Sequence, residues 1–214
     1  MTAKTLIVAL GDSTTAGTPG WKSPLEAPPN GAGDETSQYA YWLMKGRPDW
    51  DVLNKGINAQ HSDEISARFE RDVISEAPAA VVIIAGVNDV YQGRPAQHVI
   101  GQLSQMYERA AKAGIAIIAG TIIPYNTATP DQNDRMRAIN AWIRSQDSTA
   151  AGAPIVVADT RAAVALPSNT DLLFESPDQL HPTAEGYRRM GGAIRPAVEQ
   201  ALRKRDSSRR DPSR

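Results

Sequence analysis

The protein is a chain of 214 residues with 41% hydrophobic content, which is enough to build the core of one globular domain. Its formal net charge is −1, so the overall balance does not indicate nucleic acid or a charged membrane surface as a partner. The chain has no cysteine, which excludes disulfides, thiol catalysis and thiolate metal sites. No apolar run approaches the roughly 20 residues of a membrane-spanning helix.

The first apolar run predicts a buried strand that ends at a glycine. Leu6 to Leu10 are all apolar and Gly11 follows them, which is typical of a strand in a parallel sheet. The run is too short for the apolar region of a signal peptide, so we expect a cytoplasmic protein unless a leader has been removed. Ser13 then lies at the carboxyl edge of the sheet, where open α/β folds bind ligands. There it can act as a nucleophile, hold an anion, or simply cap a strand-to-helix turn.

Strands and helices alternate along the rest of the chain after a Pro- and Gly-rich loop over residues 18–36. The predicted strands are residues 6–10, 51–54, 79–85, 115–119 and 155–158. The predicted helices are residues 37–45, 62–76, 95–113 and 131–146, and a last helix from its cap, Thr183, to about Leu202. This order predicts a three-layer α/β/α sandwich with a central five-stranded parallel sheet. Residues 1–202 are expected to form a single domain, and residues 203–214 a basic, disordered tail.

Polar side chains collect at the predicted carboxyl edge of the sheet. Ser13 follows the first strand, Gly56 follows the second, Asn88 follows the third, and Asp178 and His181 lie in the loop after the fifth. Acyl transfer needs such a set of nucleophile, base, base-orienting acid and oxyanion donors. The chain order Ser, Asp, His is that of α/β-hydrolases, but their Gly-x-Ser-x-Gly elbow is absent, so a different fold must carry the site.

Other histidines and carboxylates have simpler interpretations. His61 follows the second strand and competes with His181 for the role of base, but only His181 has an Asp three residues before it at the sheet edge. Asp12 and Asp89 are expected to brace their own turns, and His98 to lie on a helix surface. No cluster of histidines and carboxylates has convincing metal spacing, so we expect no metal and no other cofactor.

Four short blocks of the sequence resemble the SGNH, or GDSL-type, family of esterases and lipases. They occur in the family order across nearly the whole domain. The blocks are Gly11-Asp12-Ser13, Asn54-Lys55-Gly56, Gly86-Val87-Asn88-Asp89 and Asp178-Gln179-Leu180-His181. The resemblance implies the flavodoxin-like SGNH hydrolase fold.

The same resemblance implies a role for each site residue. Ser13 is the nucleophile, His181 the base and Asp178 its partner. The N–H groups of Ser13 and Gly56 and the side-chain amide of Asn88 form the oxyanion hole. Two positions depart from the family pattern: Thr14 stands where the family name implies Leu, and Ala59 stands where many members have a second Gly.

The expected function is therefore hydrolysis of carboxylic esters through an acyl-enzyme. The expected partner is a small-molecule ester with a short acyl chain, an aryl alcohol or an acetylated carbohydrate; the acyl chain and the alcohol stay open. Trp21, Tyr91 and Tyr125 are candidates for the substrate pocket, although the two tyrosines could equally close the core. The alternative is a flavodoxin-like module without hydrolase activity, in which residues 13–18 hold a phosphate or a flavin phosphate.

Overall fold

The centre of the protein is one parallel sheet. The computed structural model describes residues 3–148 and 153–210. The five strands are β1 (Thr5–Gly11), β2 (Trp50–Gly56), β3 (Ala80–Ile84), β4 (Ala116–Gly120) and β5 (Ile155–Ala158). They lie in the order β2-β1-β3-β4-β5, and every neighbouring pair is parallel. This is the flavodoxin-like strand order, so the predicted α/β sandwich is confirmed.

Helices cover both faces of the sheet. They are α1 (Ser13–Ala16), α2 (Tyr39–Gly46), α3 (Ser62–Ala67), α4 (Phe69–Asp72), α5 (Val87–Tyr91), α6 (Ala96–Lys112), α7 (Pro130–Ser145), α8 (Thr160–Val164) and α9 (Ala184–Arg210). Successive side chains of a strand point to opposite faces, so Val8 and Leu10 pack under α3, α6 and α7, whereas Ile7 and Ala9 pack under α2 and α9. Two short antiparallel ribbons pair Trp21–Lys22 with Ala32–Gly33 and Ala165–Leu166 with Asn169–Leu173.

The register of the sheet brings three strand ends to one level. Gly11 at the end of β1 lies beside Gly56 on one side and Ile84 on the other. Gly56 also allows α1 to approach closely, because a Cβ there would lie 2.1 Å from the backbone nitrogen of Ala16. The segments that follow β1, β2 and β3 therefore leave the sheet side by side.

Two of the predicted segments take a different course in the structure. Residues 62–76 form α3, α4 and a 3₁₀ turn (Ile74–Glu76), because the backbone leaves the helical geometry at Arg68 and again at Val73. Helix α9 continues to Arg210, so the prediction of a disordered tail is wrong for residues 203–210, while residues 211–214 lie outside the described residues. Arg205 explains part of this continuation, because its guanidinium donates to the carbonyl of Ala79 at 2.8 Å. None of the described helices is long and apolar enough to cross a membrane.

Candidate active site

A serine, a histidine and an aspartate form one hydrogen-bonded chain at the carboxyl edge of the sheet. His181 Nε2 lies 2.9 Å from Ser13 Oγ, and His181 Nδ1 lies 2.7 Å from Asp178 Oδ2. Ser13 is 6% exposed and His181 is 7% exposed, so the contact between them is largely shielded from solvent. The imidazole can therefore take a proton from the hydroxyl while the carboxylate holds its other nitrogen.

The turn that carries His181 also orients it. Asp178 Oδ1 accepts the backbone N–H groups of Leu180 at 3.0 Å and His181 at 2.8 Å, and Ser176 Oγ donates to the carbonyl of His181 at 2.7 Å. Partial burial raises the pKa of Asp178, but the bonds from His181 and Leu180 outweigh it and bring this pKa to about 2. The Asp178 carboxylate is thus ionised at neutral pH and can accept the hydrogen of the imidazole.

Ser13 begins a short buried helix. Asp12 caps α1 by accepting the Thr14 N–H at 2.9 Å, as its predicted role in bracing the turn requires. The carbonyl of Ser13 accepts the N–H groups of Gly17 at 2.9 Å and Thr18 at 3.1 Å. The start of the long loop is therefore fixed directly to the backbone of the nucleophile.

Gly56 does not offer a free oxyanion donor. Its N–H donates to Asn54 Oδ1 at 3.0 Å, and its carbonyl accepts Ser23 Oγ at 2.6 Å. Both of its backbone polar groups are thus engaged, and the residue serves the close approach of α1 instead. In this geometry the Gly56 N–H is therefore not free to serve as the predicted oxyanion donor.

The turn after Gly56 connects to Asn88. Asn88 Nδ2 donates to the carbonyl of Gln60 at 2.9 Å, which uses one of its two amide hydrogens. Asp89 accepts the N–H of Ser62 at 2.8 Å and its hydroxyl at 3.0 Å, so its side chain braces the start of α3 and not, as expected from the sequence, its own turn. Within the turn, Ala59 adopts a left-handed backbone with φ 61°. This is the position at which many members of the family have a second Gly, which adopts that conformation without strain.

Comparison with known proteins identifies the family. The model of the GDSL-like Lipase/Acylhydrolase family matches residues 9–189. The chain belongs to this family. It is also 31% identical, over 125 residues, to the uncharacterized lipoprotein YqeF of Bacillus subtilis (strain 168); these residues are 55% of this chain and 48% of YqeF. The chain thus spans about half the length of that curated relative.

Solved structures with this fold include members of the same family. A protein assigned to the G-D-S-L lipolytic family, from Desulfitobacterium hafniense, is 25% identical with a TM-score of 0.73, and the match covers 91% of this chain and 99% of that one. A GDSL-like lipase from Bacteroides thetaiotaomicron is 25% identical with a TM-score of 0.70, and the match covers 92% and 88% of the two chains. The chain therefore has the α/β fold of the GDSL-like Lipase/Acylhydrolase family.

The three candidate pocket residues of this GDSL-family hydrolase lie in different environments. Tyr125 is fully buried in the core, so it closes the core rather than lining an open pocket. Tyr91 is 58% exposed and ends α5, the helix that carries Asn88; its ring contacts that of Tyr125 at a tilt of 58°, with 5.8 Å between the ring centroids. Trp21 lines a cavity of about 270 Å³ at the edge strand β2, and neither Ser13 nor His181 is among its described lining residues.

The remaining histidines have partners of their own. His61 Nδ1 lies 2.9 Å from Glu64, and the structure places His181, not His61, on Ser13. Two groups of described residues lie close enough to share a cation, namely His61, Asp63 and Glu64, and Asp63, Asp89 and His98. In the second group the guanidinium of Arg94 already donates to both Asp63 and Asp89.

The segment after β1 does not have the exposed hydroxyls that the alternative, a flavodoxin-like phosphate site, would need at Thr14 and Thr15. Thr14 is 2% exposed and Thr15 is fully buried, and the Thr15 hydroxyl accepts the phenol of Tyr39 at 3.1 Å. The hydroxyls that would surround a phosphate are therefore packed inside the GDSL-family fold.

Sequence reasoning missed one charged residue beside the site. Arg68 lies on the inward face of the segment after β2 and donates to the carbonyl of Gly11 at 2.8 Å. A usable signal was present, because an arginine three residues after Ile65 falls on the apolar face of the predicted helix. The presence of Ala59 where many family members have Gly likewise marked the turn that follows Gly56.

Proposed function

We propose that this GDSL-family hydrolase cleaves carboxylic esters through an acyl-enzyme formed on Ser13. The observation that carries the proposal is the His181 ring, which lies between Ser13 Oγ at 2.9 Å and Asp178 Oδ2 at 2.7 Å. A serine hydroxyl is a weak nucleophile, and a hydrogen-bonded base that is itself oriented by a carboxylate is the arrangement that activates it.

The reaction proceeds in two half-reactions. Ser13 Oγ attacks the ester carbonyl while His181 Nε2 takes its proton, and the resulting imidazolium is stabilised by Asp178. The tetrahedral intermediate then collapses, His181 protonates the departing alcohol, and the acyl group stays on Ser13. Water, deprotonated by the same imidazole, attacks the acyl carbonyl and releases the acid.

The negative charge on the carbonyl oxygen needs donors close to Ser13. We assign this role to the N–H of Ser13, the second amide hydrogen of Asn88 and, in place of Gly56, the backbone N–H of Ala59. The left-handed backbone of Ala59, with φ 61°, supports this assignment, because such a residue in a turn points successive N–H groups toward one concave side. The bond from Asn88 to the Gln60 carbonyl holds this turn beside the amide donor.

The proposed substrates are esters with a short acyl chain, an aryl alcohol or an acetylated carbohydrate. The ring of Tyr91 is exposed and lies on the helix that carries Asn88. It can therefore contact an apolar or planar group of the substrate next to the oxyanion donors. One of the similar solved structures is named a GDSL-like lipase, and a lipase is an enzyme that cleaves carboxylic esters.

A series of nitrophenyl esters of increasing acyl length tests the proposal. We expect the wild-type protein to hydrolyse the shorter members and the Ser13→Ala variant to be inactive with an unchanged circular dichroism spectrum, since one hydroxyl contributes little to stability. Ser75→Ala, which alters an exposed serine, is the matched control and is expected to behave as wild type. Turnover retained by Ser13→Ala, or phosphonate labelling at another serine, would refute the assignment.

The Asn88 donor is tested separately. Asn88→Ala is expected to lower kcat by about 10²–10³-fold with little change in KM, because the donor matters most when charge has developed on the oxygen. A change confined to KM would instead make Asn88 a contact to the ground-state substrate.

A further inference from the structure

Arg68 is a buried cation that connects the ends of two strands. Its side chain is 6% exposed, and its Nη2 donates to the carbonyl of Gly11, the last residue of β1, at 2.8 Å. Its Nη1 donates to the carbonyl of Lys55, one residue before the end of β2, at 2.8 Å. The turn with Asp12 and Ser13, here called the nucleophile turn, follows β1, and residues 57–61, here called the oxyanion turn, follow β2.

The same guanidinium also holds the oxyanion turn. Arg68 Nε donates to Gln60 Oε1 at 2.7 Å, while the carbonyl of Gln60 accepts the amide of Asn88 at 2.9 Å. The turn that contains Ala59 is therefore fixed through Gln60 from two sides, by a side-chain bond and by a backbone bond. The planar fork of an arginine suits this task, because it presents several donors in fixed directions.

The environment of Arg68 is costly for a purely structural residue. Its one carboxylate partner, among the described residues, is Asp72, at 2.7 Å and with a side chain that is 2% exposed. A buried ion pair often stabilises a fold no more than well-packed apolar side chains of similar volume. Three of the four acceptors of this guanidinium are instead groups that determine where the strand ends and the Gln60 turn lie.

We propose that Arg68 is a positioning residue for ester hydrolysis: its fork to Gly11, Lys55 and Gln60 fixes the oxyanion turn relative to Ser13. This inference rests on the proposed function and adds a determinant of kcat that does not touch the substrate. Arg68 acts through Gln60 on the donors at Ala59 and Asn88, and it leaves the acid–base pair unaffected.

The first experiment compares Arg68→Met with Arg71→Met. Arg71 is a matched control because it also bonds to Asp72, yet it is exposed and contacts neither strand end nor Gln60. We expect Arg68→Met to lower kcat by about 10²-fold, the cost of losing one oxyanion donor, with KM unchanged, and Arg71→Met to turn over as wild type. Arg68→Lys is also expected to be slow, because it keeps the charge but loses the fork. Equal kcat values for the two methionine variants would overturn the proposal.

The second experiment separates positioning from a general loss of structure. In an Asn88→Ala background, Arg68→Met is expected to lower kcat by only about tenfold, because one of the donors that it positions is already absent. The same factor in both backgrounds would mean that Arg68 acts on the fold as a whole instead of on the oxyanion donors.

Gln60→Ala keeps the inference testable if Arg68→Met does not fold. This variant retains the bonds of Arg68 to both strand ends and to Asp72 and removes only its bond to the turn. We expect a loss of about tenfold in kcat with KM unchanged, since small misplacements of reacting groups have effects of this order. Wild-type turnover in Gln60→Ala would refute positioning through the turn. Failure of the ester-hydrolase proposal itself is distinguishable, because it would appear as an inactive wild type or an active Ser13→Ala.

Discussion

The carboxyl group of Asp12 makes the stability of this protein depend on pH in an unusual direction. The side chain is fully buried, Oδ1 caps α1, and Oδ2 has no hydrogen-bond partner among the described residues. Burial raises the pKa of Asp12 from 3.8 to about 6, although the bond from Thr14 and the nearby His181 lower it. Because the folded pKa lies above the unfolded one, the stability linked to this proton is complete below about pH 4 and is lost as the pH rises through about 6.

The size of the effect follows from the two pKa values. The difference between 3.8 and about 6 corresponds to about 3 kcal/mol, at about 1.4 kcal/mol for each pKa unit. Integration of the linkage relation places about 2 kcal/mol of this between pH 4.5 and pH 8. Asp12→Asn removes the titration and keeps an oxygen that can cap the Thr14 N–H.

Urea unfolding of both proteins from pH 4.5 to pH 8 measures this contribution. The quantity of interest is the free energy of unfolding of Asp12→Asn minus that of the wild type, because any constant cost of the new amide then cancels from its pH dependence. We expect this difference to increase by about 2 kcal/mol across the range. A difference that stays constant, or that decreases as the pH rises, would show that the buried carboxyl is not destabilised in its charged form.

Three further predictions concern the site and the long loop. His181→Ala is expected to lower kcat by about 10⁴-fold or more and His61→Ala far less, and a reversed order in the ester assay would reject His181 as the base. Asp178→Asn should lower kcat by about 10⁴-fold at every pH between about 5 and 9, since its pKa of about 2 keeps the wild-type carboxylate ionised there; a loss limited to low pH would contradict this. Trp21→Ala should lower the free energy of unfolding in urea by about 1–3 kcal/mol and leave the acyl-length profile unchanged, because the cavity it lines excludes Ser13; a changed profile would return Trp21 to the substrate pocket.

Four strands of the sheet could be predicted from the sequence because each contains an apolar run, whereas the edge strand β2 includes the polar residues Asp51, Asn54 and Lys55. The prediction for β5, Ile155 to Ala158, agrees with the structure to the residue, since Pro154 and Asp159 flank that run. The division of residues 62–76 into two helices and a 3₁₀ turn could not be predicted from the apolar pattern. The inward positions Ile65, Phe69 and Val73 repeat every four residues as in one continuous helix, whereas the backbone departs at Arg68, whose side chain reaches the strand ends.

The site shows the same limit of local patterns. Ser13, Asp178 and His181 could be located because their residue types and order indicate acyl transfer. The role of Gly56 could not be judged, since it depends on the side chain of Asn54 turning back to the Gly56 N–H, a contact that no spacing rule indicates. The ribbon of Trp21–Lys22 with Ala32–Gly33 likewise depends on contacts between residues that are distant in sequence.

The two contacts of His181 differ greatly in sequence separation. Its partner Asp178 is three residues away, whereas Ser13 is 168 residues away. The imidazole–carboxylate pair can thus form within one local turn, while its arrival at the nucleophile requires α9, which begins three residues after His181, to dock on the sheet. The proposed ester turnover would then report the docking of α9 during refolding. An intermediate with α9 undocked would have a complete nucleophile turn and a complete acid–base pair and would still be inactive.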